Sequence, residues 1–186
     1  MSDPSLTIRE VPQAGPAVAV PSALRGRVRA VLGDNIDTDV IYPGRYLNIT
    51  DREKTAEHLF ELSFPDLRPA IQPGDILVAG RNFGCGSSRE QAAAALKYAG
   101  VGAVVAGSFA RIFYRNAINL GLPVVVSGEA DRACAPDDAL ELDLAAGEIR
   151  NLTQGRIIGA AALDPRAVEL VAAGGLIPYL KRKYSA

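Results

Sequence analysis

An α/β fold, a layered sheet with helices outside it, is predicted by three features of the sequence. Short apolar runs at 76–79, 102–106 and 123–126 alternate with helix-patterned segments, the mark of strand–helix–strand units. Polar and apolar residues alternate through 26–32 and 140–144, as half-buried strands require. A chain of 186 residues with 48% hydrophobic content has material for one sizeable core and lacks the length for two.

Each element follows from local chemistry. Residues 1–25, rich in proline and alanine, read as a flexible arm, with order beginning near Leu24 and the folded domain spanning 26–186. The first strand is 26–32, a loop covers 34–46, and a helix is predicted over 52–62. A turn-rich connection over 65–74 ends in Pro73-Gly74, which opens into a buried strand at 76–79. After a glycine-rich loop, the alanine-rich run 91–100 is a helix stopped by Gly100. A strand at 102–106, an amphipathic helix at 109–120 and a strand at 123–126 complete two strand–helix–strand units. The alternation at 140–144 with Gly147-Glu148 at a turn predicts a hairpin, and 165–173 a helix.

The loop Gly80-Arg81-Asn82-Phe83-Gly84-Cys85-Gly86-Ser87-Ser88-Arg89-Glu90 carries most of the functional information. It sets two hydroxyls and a guanidinium between a buried strand and a helix start, the layout of an anion site: free N–H groups attract carboxylate or phosphate, and Arg89 adds a bidentate partner. Ser87-x-x-Glu90 also fits a capping box that merely starts the helix. Three glycines at 80, 84 and 86 favour the anion site, because a cap needs none of them and their ordering costs backbone entropy; close approach by a ligand is expected there.

Composition excludes several classes. A net charge near −1 and the absence of a basic run argue against nucleic acid or an anionic membrane as the main partner. No apolar window of about 20 residues could span a membrane. The first 21 residues hold Asp3 and five prolines or glycines, unlike a signal peptide, so a cytoplasmic protein is expected. There are two cysteines, Cys85 and Cys134, one histidine, His58, and no CxxC spacing. Such a chain cannot supply three thiolates to a four-iron cluster, and no cofactor of its own is expected. Cys85 is read either as a small residue packed in a tight loop or as a reactive thiol, and His58 as a helix-surface residue.

Three motifs together carry a family resemblance. They are Asp34-Asn35-Ile36-Asp37-Thr38-Asp39-Val40-Ile41-Tyr42-Pro43, the loop 80–90, and Gly107-Ser108-Phe109-Ala110-Arg111-Ile112-Phe113-Tyr114-Arg115-Asn116-Ala117-Ile118-Asn119-Leu120-Gly121-Leu122-Pro123. In this order they resemble the small subunit of 3-isopropylmalate dehydratase, itself similar to the mobile domain of aconitase, over the chain from Gly26 onward. The resemblance implies the swivelling β/β/α fold and a cleft shared with a larger subunit that carries the 4Fe-4S cluster. It implies a lyase of leucine biosynthesis that reversibly removes water from a 2-hydroxy dicarboxylate. By the family's Ser-Ser-Arg motif, Ser87 would be the general base, with Ser88 and Arg89 holding carboxylate oxygens. Thr38 and Asp39 align with an active-site threonine-aspartate of the family, although acids beside a threonine can also simply fix a loop. Arg111 and Arg115, one helical turn apart, are expected to pair with acids or to face an anion.

Substrate choice points to 44–50. Isopropylmalate enzymes are expected to place an apolar residue after Tyr-Leu, and homoaconitases an arginine. This chain has Asn48, a neutral donor and acceptor that departs from both. A more polar or smaller substrate such as a methylmalate or dimethylmalate is one consequence, an ordinary loop residue the other. A binding module that senses dicarboxylates without turnover fits the same loop.

Overall fold

The computed structural model describes residues 23–184. Seven strands form one sheet in the order β4-β3-β2-β1-β5-β6-β7. Strand β1 (Ala23–Leu32) is the spine, because its two halves serve different partners. Ala23 to Arg27 pair antiparallel with β5 (Ala139–Asp143), and Val28 to Leu32 pair parallel with β2 (Ile76–Ala79). The register shifts between Val28 and Ala30, where the strand passes from one set to the other. Strands β3 (Ala103–Ala106) and β4 (Val124–Val126) extend the parallel side, and β6 (Glu148–Asn151) and β7 (Arg156–Gly159) the antiparallel side.

Burial explains the division. All four residues of β2 and of β3 are buried, as expected for parallel strands covered on both faces, whereas β5 alternates. The covering helices are α2 (Arg52–Glu57), α4 (Glu90–Tyr98), α5 (Arg111–Asn119) and α7 (Pro165–Ala173), with α4 packed on both α2 and α5. The run Ala92 to Leu96 is buried along almost its whole length, which small side chains permit where a helix lies close to its neighbours.

Several boundaries depart from the sequence reading. Strand β1 begins at Ala23, so the sheet takes in the last residues of the expected arm, while 1–22 lie outside the described residues. The loop 34–46 contains helix α1 (Thr38–Ile41), capped by the Asp37 carboxylate on Val40 N at 2.8 Å, and a 3-10 turn, Gly44–Tyr46. Helix α2 stops at Glu57, short of 62, because Phe60 takes a left-handed conformation (φ 58°) that no helix can absorb. The hairpin gains a third strand, β7. Short α3 (Leu67–Ala70), α6 (Ala130–Ala133) and the terminal α8 (Leu176–Tyr184) complete the chain.

Candidate active site at the ends of the parallel strands

Strands β1, β2 and β3 run parallel, so their carboxyl ends open onto one edge of the sheet, the usual place for a ligand in an open α/β sheet. From those ends leave the three loops that carry the sequence motifs. Backbone bonds zip them together: Asn35 N donates to Arg81 O at 2.8 Å, Gly84 N to Ile36 O at 2.7 Å and Thr38 N to Cys85 O at 2.9 Å. On the other side Phe83 N donates to Ser108 O and Ala110 N to Phe83 O, both at 2.9 Å. The glycine loop is thus the middle rung of a three-loop ribbon, and half-buried Cys85 is part of it.

This ribbon corrects the reading of the glycines. A Cβ on Gly80 would lie 2.1 Å from Asp34 Oδ1, and one on Gly84, at φ 74°, would lie 2.2 Å from Phe113 Cγ. The close approach at both is by protein. Only Gly86 has room, its nearest neighbour being Thr38 Oγ1 at 3.5 Å. Asp34, singled out by no sequence argument, is held ionised below the usual carboxylate range, first by the Arg81 backbone N–H and also by the Arg81 charge.

The capping box is not formed. Helix α4 begins at Glu90 with Arg89 at the cap position, and no side chain caps it. Ser87 and Ser88 lie before the helix, exposed, with Ser87 O accepting from Arg89 N at 2.8 Å. The first amides of α4 therefore lack the side-chain acceptor that a capping serine supplies.

Arg89 turns back to form an ion pair with Asp39, whose Oδ1 also accepts from Gly44 N at 3.1 Å. The Arg89 hydrogen bond, with help from its charge and from the Gly44 amide, lowers the Asp39 pKa, so the pair is complete at neutral pH. Because the folded value is lowered, the contribution of the pair is present above the ordinary carboxylate range and is lost as pH falls through the lowered value. Arg89 Nε and Thr38 Oγ1 are both buried with no hydrogen-bond partner among the described residues. Thr38 is 1% exposed. Both atoms are closed to solvent, Thr38 Oγ1 near Gly86 and Arg89 Nε at the helix start, and each lacks the partner a buried polar group ordinarily has.

Asn48 is exposed on the adjoining loop, whose Leu47 O faces Gln91 Nε2 of α4 at 3.5 Å. Asp39 and Arg89 thus meet directly, Thr38 is packed near Gly86, Ser87 and Ser88 share the loop of Arg89, and Asn48 belongs to a segment tethered to the same helix. Arg111 and Arg115 are exposed, and neither is paired with a carboxylate among the described residues, contrary to the expected pairing. His58 is no plain surface residue: its ring stacks on Tyr46 at 3.6 Å. Cys134 is buried, and that burial raises its thiol pKa to about 11. Among the described residues no three of the His, Cys, Asp and Glu side chains converge to hold a metal. No helix among them is long and apolar enough to cross a membrane.

The aconitase C-terminal domain model matches residues 13–129. The chain is 54% identical over 151 residues to the 3-isopropylmalate dehydratase small subunit of Moorella thermoacetica, covering 81% of this chain and 91% of the other. It is 48% identical to the isopropylmalate/citramalate isomerase small subunit of Methanocaldococcus jannaschii, over 87% of this chain and 96% of the other. To the methanogen homoaconitase small subunit of Methanothermobacter thermautotrophicus it is 50% identical, over 85% and 91%. A crystal structure of 3-isopropylmalate dehydratase from Methanocaldococcus jannaschii superimposes with a TM-score of 0.77 at 42% identity, over 87% of this chain and 95% of that one. With its curled sheet, its zipped loops and these relatives, the chain belongs to the aconitase C-terminal domain family and is homologous to the 3-isopropylmalate dehydratase small subunits.

Proposed function

We propose that this chain is the small subunit of a cytoplasmic hydro-lyase that reversibly removes water from a 2-hydroxy dicarboxylate of the isopropylmalate type, as leucine biosynthesis requires. It works with a separate large subunit that carries a 4Fe-4S cluster. The observation that carries the reading is Arg89, locked to Asp39 at the uncapped start of α4, directly behind Ser87 and Ser88.

The reaction takes a proton from the carbon beside a carboxylate while hydroxide leaves the neighbouring carbon. Negative charge grows on that carboxylate as the proton departs, so fixed donors around it lower the barrier most. Arg89 is such a donor, since the Asp39 carboxylate and the Gly44 amide behind it set its orientation before substrate arrives. Ser87 is the proposed base and exposed Ser88 a donor to carboxylate oxygens, with buried Thr38 behind them beside Gly86. A serine hydroxyl ionises far above neutral pH, and the helix start and the Arg89 charge are the groups at hand to favour its alkoxide. The described residues do not fit the cluster, and it is the likeness to the small subunits that supports placing it on a large one. There it would act as a Lewis acid on the departing hydroxyl.

Replacing Arg89 by lysine keeps the charge and loses the planar fork. About a hundredfold loss in kcat/KM is expected, measured by steady-state kinetics; an unchanged value would show that Arg89 does not clamp the carboxylate.

Substrate identity is the finer question. Relatives of nearly equal identity, 54%, 48% and 50%, are named for isopropylmalate, for isopropylmalate and citramalate, and for homoaconitase. Asn48 then decides by its chemistry: an amide favours a compact or partly polar group over a fully apolar or charged one. The test is co-expression with the large subunit of the same genome, anaerobic cluster loading, and alkene formation from a panel of 2-hydroxy diacids. Turnover of isopropylmalate with both chains supports the reading, and preference for a methylmalate moves the substrate as Asn48 suggests. Binding without turnover by an assembled, loaded complex would replace the enzyme with a dicarboxylate-sensing module.

A further inference from the structure

Asn48 owes its place to Tyr46. Ile49 N donates to Tyr46 O at 2.9 Å and closes a turn through Leu47, which is helical in backbone at φ −58° and ψ −23°, so Asn48 occupies the second central position. The same Tyr46 carbonyl accepts from the hydroxyl of fully buried Tyr42 at 3.0 Å. The Tyr46 ring is held independently. It stacks on His58 with 3.6 Å between centroids and 10° between planes, and its hydroxyl donates to Glu61 Oε1 at 2.9 Å. Glu61 gathers three neighbours in all: Tyr46, Arg45 at 2.7 Å, and His58, whose Nδ1 lies 2.6 Å from Oε2.

The backbone beneath this cluster is strained. Phe60 stands between His58 and Glu61 with φ 58°, a conformation that a bulky residue adopts only when its surroundings enforce it. They do so here: Phe60 is fully buried, its N–H donates to Ile41 O at 2.9 Å, and its carbonyl accepts from Phe64 N at 2.9 Å. The reversal at Phe60 ends α2 and leaves His58 and Glu61 on either side of it, both in contact with Tyr46. The cluster shares no ion pair with Arg89, which pairs with Asp39, although Gly44 of the same 3-10 turn donates to that Asp39 carboxylate at 3.1 Å.

We infer that His58 and Glu61, acting through Tyr46, are positioning residues that hold the turn bearing Asn48 and so set which substrate side chain the site accepts. The selectivity part rests on the function proposed above for Asn48. Neither residue touches substrate; each acts by restricting one turn. Their loss therefore weakens recognition of the variable part of the substrate and spares the proton transfer at Ser87.

The test has two readouts. In this chain, residue-resolved amide exchange reports the Ile49 N–H that closes the turn. Glu61→Ala and His58→Ala are each expected to speed its exchange about tenfold, and His58→Phe, which keeps the stacked ring, to restore most of the protection at that amide. In the cluster-loaded complex, the alanine variants are expected to raise KM about tenfold for the preferred diacid with kcat within about twofold. Unchanged Ile49 exchange in both alanine variants would overturn the inference, as would a fall in kcat at constant KM. A wild-type complex that turns over no diacid would overturn the proposed reaction and the selectivity role with it, while the Ile49 exchange alone would still decide whether His58 and Glu61 hold the turn.

Discussion

Ser87→Ala is expected to lower turnover about a thousandfold or more while leaving assembly and thermal stability intact, because a general base contributes on the order of 10² to 10⁴ in rate. Ser87 is exposed and its hydroxyl makes no hydrogen bond among the described residues, so alanine removes nothing the fold uses. The backbone bond from Arg89 N to Ser87 O, at 2.8 Å, survives the substitution and keeps the loop in shape. The measurement is kcat of the loaded complex beside a thermal melt of the small subunit. A variant that keeps more than about a tenth of the rate would move the base elsewhere. A variant that melts much lower would show that Ser87 holds structure.

Gly84→Ala should cost the fold more than Gly86→Ala, although both glycines take a left-handed backbone. At φ 74° an alanine bears about 1–2 kcal/mol of backbone strain. Its Cβ would also stand 2.2 Å from Phe113 Cγ, in a cluster where Phe83, Phe109 and Phe113 pack against one another with ring centroids 5.3 to 6.2 Å apart. Phe113 is 2% exposed and has no solvent to move into, so overpacking adds about 1–3 kcal/mol. The sum, about 2–5 kcal/mol, corresponds to a fall in Tm of roughly 5–20 °C for a domain of this size. Gly86→Ala is the internal control. It carries a similar strain at φ 88° but meets nothing nearer than 3.5 Å, and should fall by only the smaller, strain-derived part. Equal melting temperatures for the two variants would remove the clash from the argument.

These two variants also divide the loop by purpose. Gly84 is there for Phe113 and Gly80 for Asp34, whereas Ser87 and Ser88 are exposed and Gly86 leaves room for ordinary contact with Thr38 and Asp37. The reading of the sequence assigned all three glycines to a ligand. It could not do otherwise, because the atoms that crowd Gly84 come from a helix 29 positions further along the chain.

Elements with a strong local signal were legible. Strands β2, β3 and β4 are unbroken apolar runs, α4 is an alanine run stopped before a glycine, and α7 has Asp164 as cap, with Pro165 in its first turn. Where a signal was local but short, the structure went its own way. The pattern of α2 extends past Glu57, yet the tertiary demand on Phe60 breaks it, and the third strand of the antiparallel side, β7, is recognisable only once β6 is beside it.

The site divides likewise. Three loop motifs and the Ser-Ser-Arg run could be read from residue order, since turn chemistry and strand periodicity depend on neighbours along the chain. The pairing of Arg89 with Asp39 spans 50 positions, and the Tyr46–Glu61 and Asp34–Arg81 contacts span 15 and 47. The first and last of these exist only because β1 and β2 lie side by side and end at one edge, and the second because the chain folds back on itself between those strands. The amino-acid sequence by itself determined the α/β class, the family and the residues offered for chemistry. Tertiary structure alone decided which of them meet, which glycines serve packing, and which serine hydroxyls stay free, because charge pairing and steric exclusion act between atoms that only the folded sheet brings together.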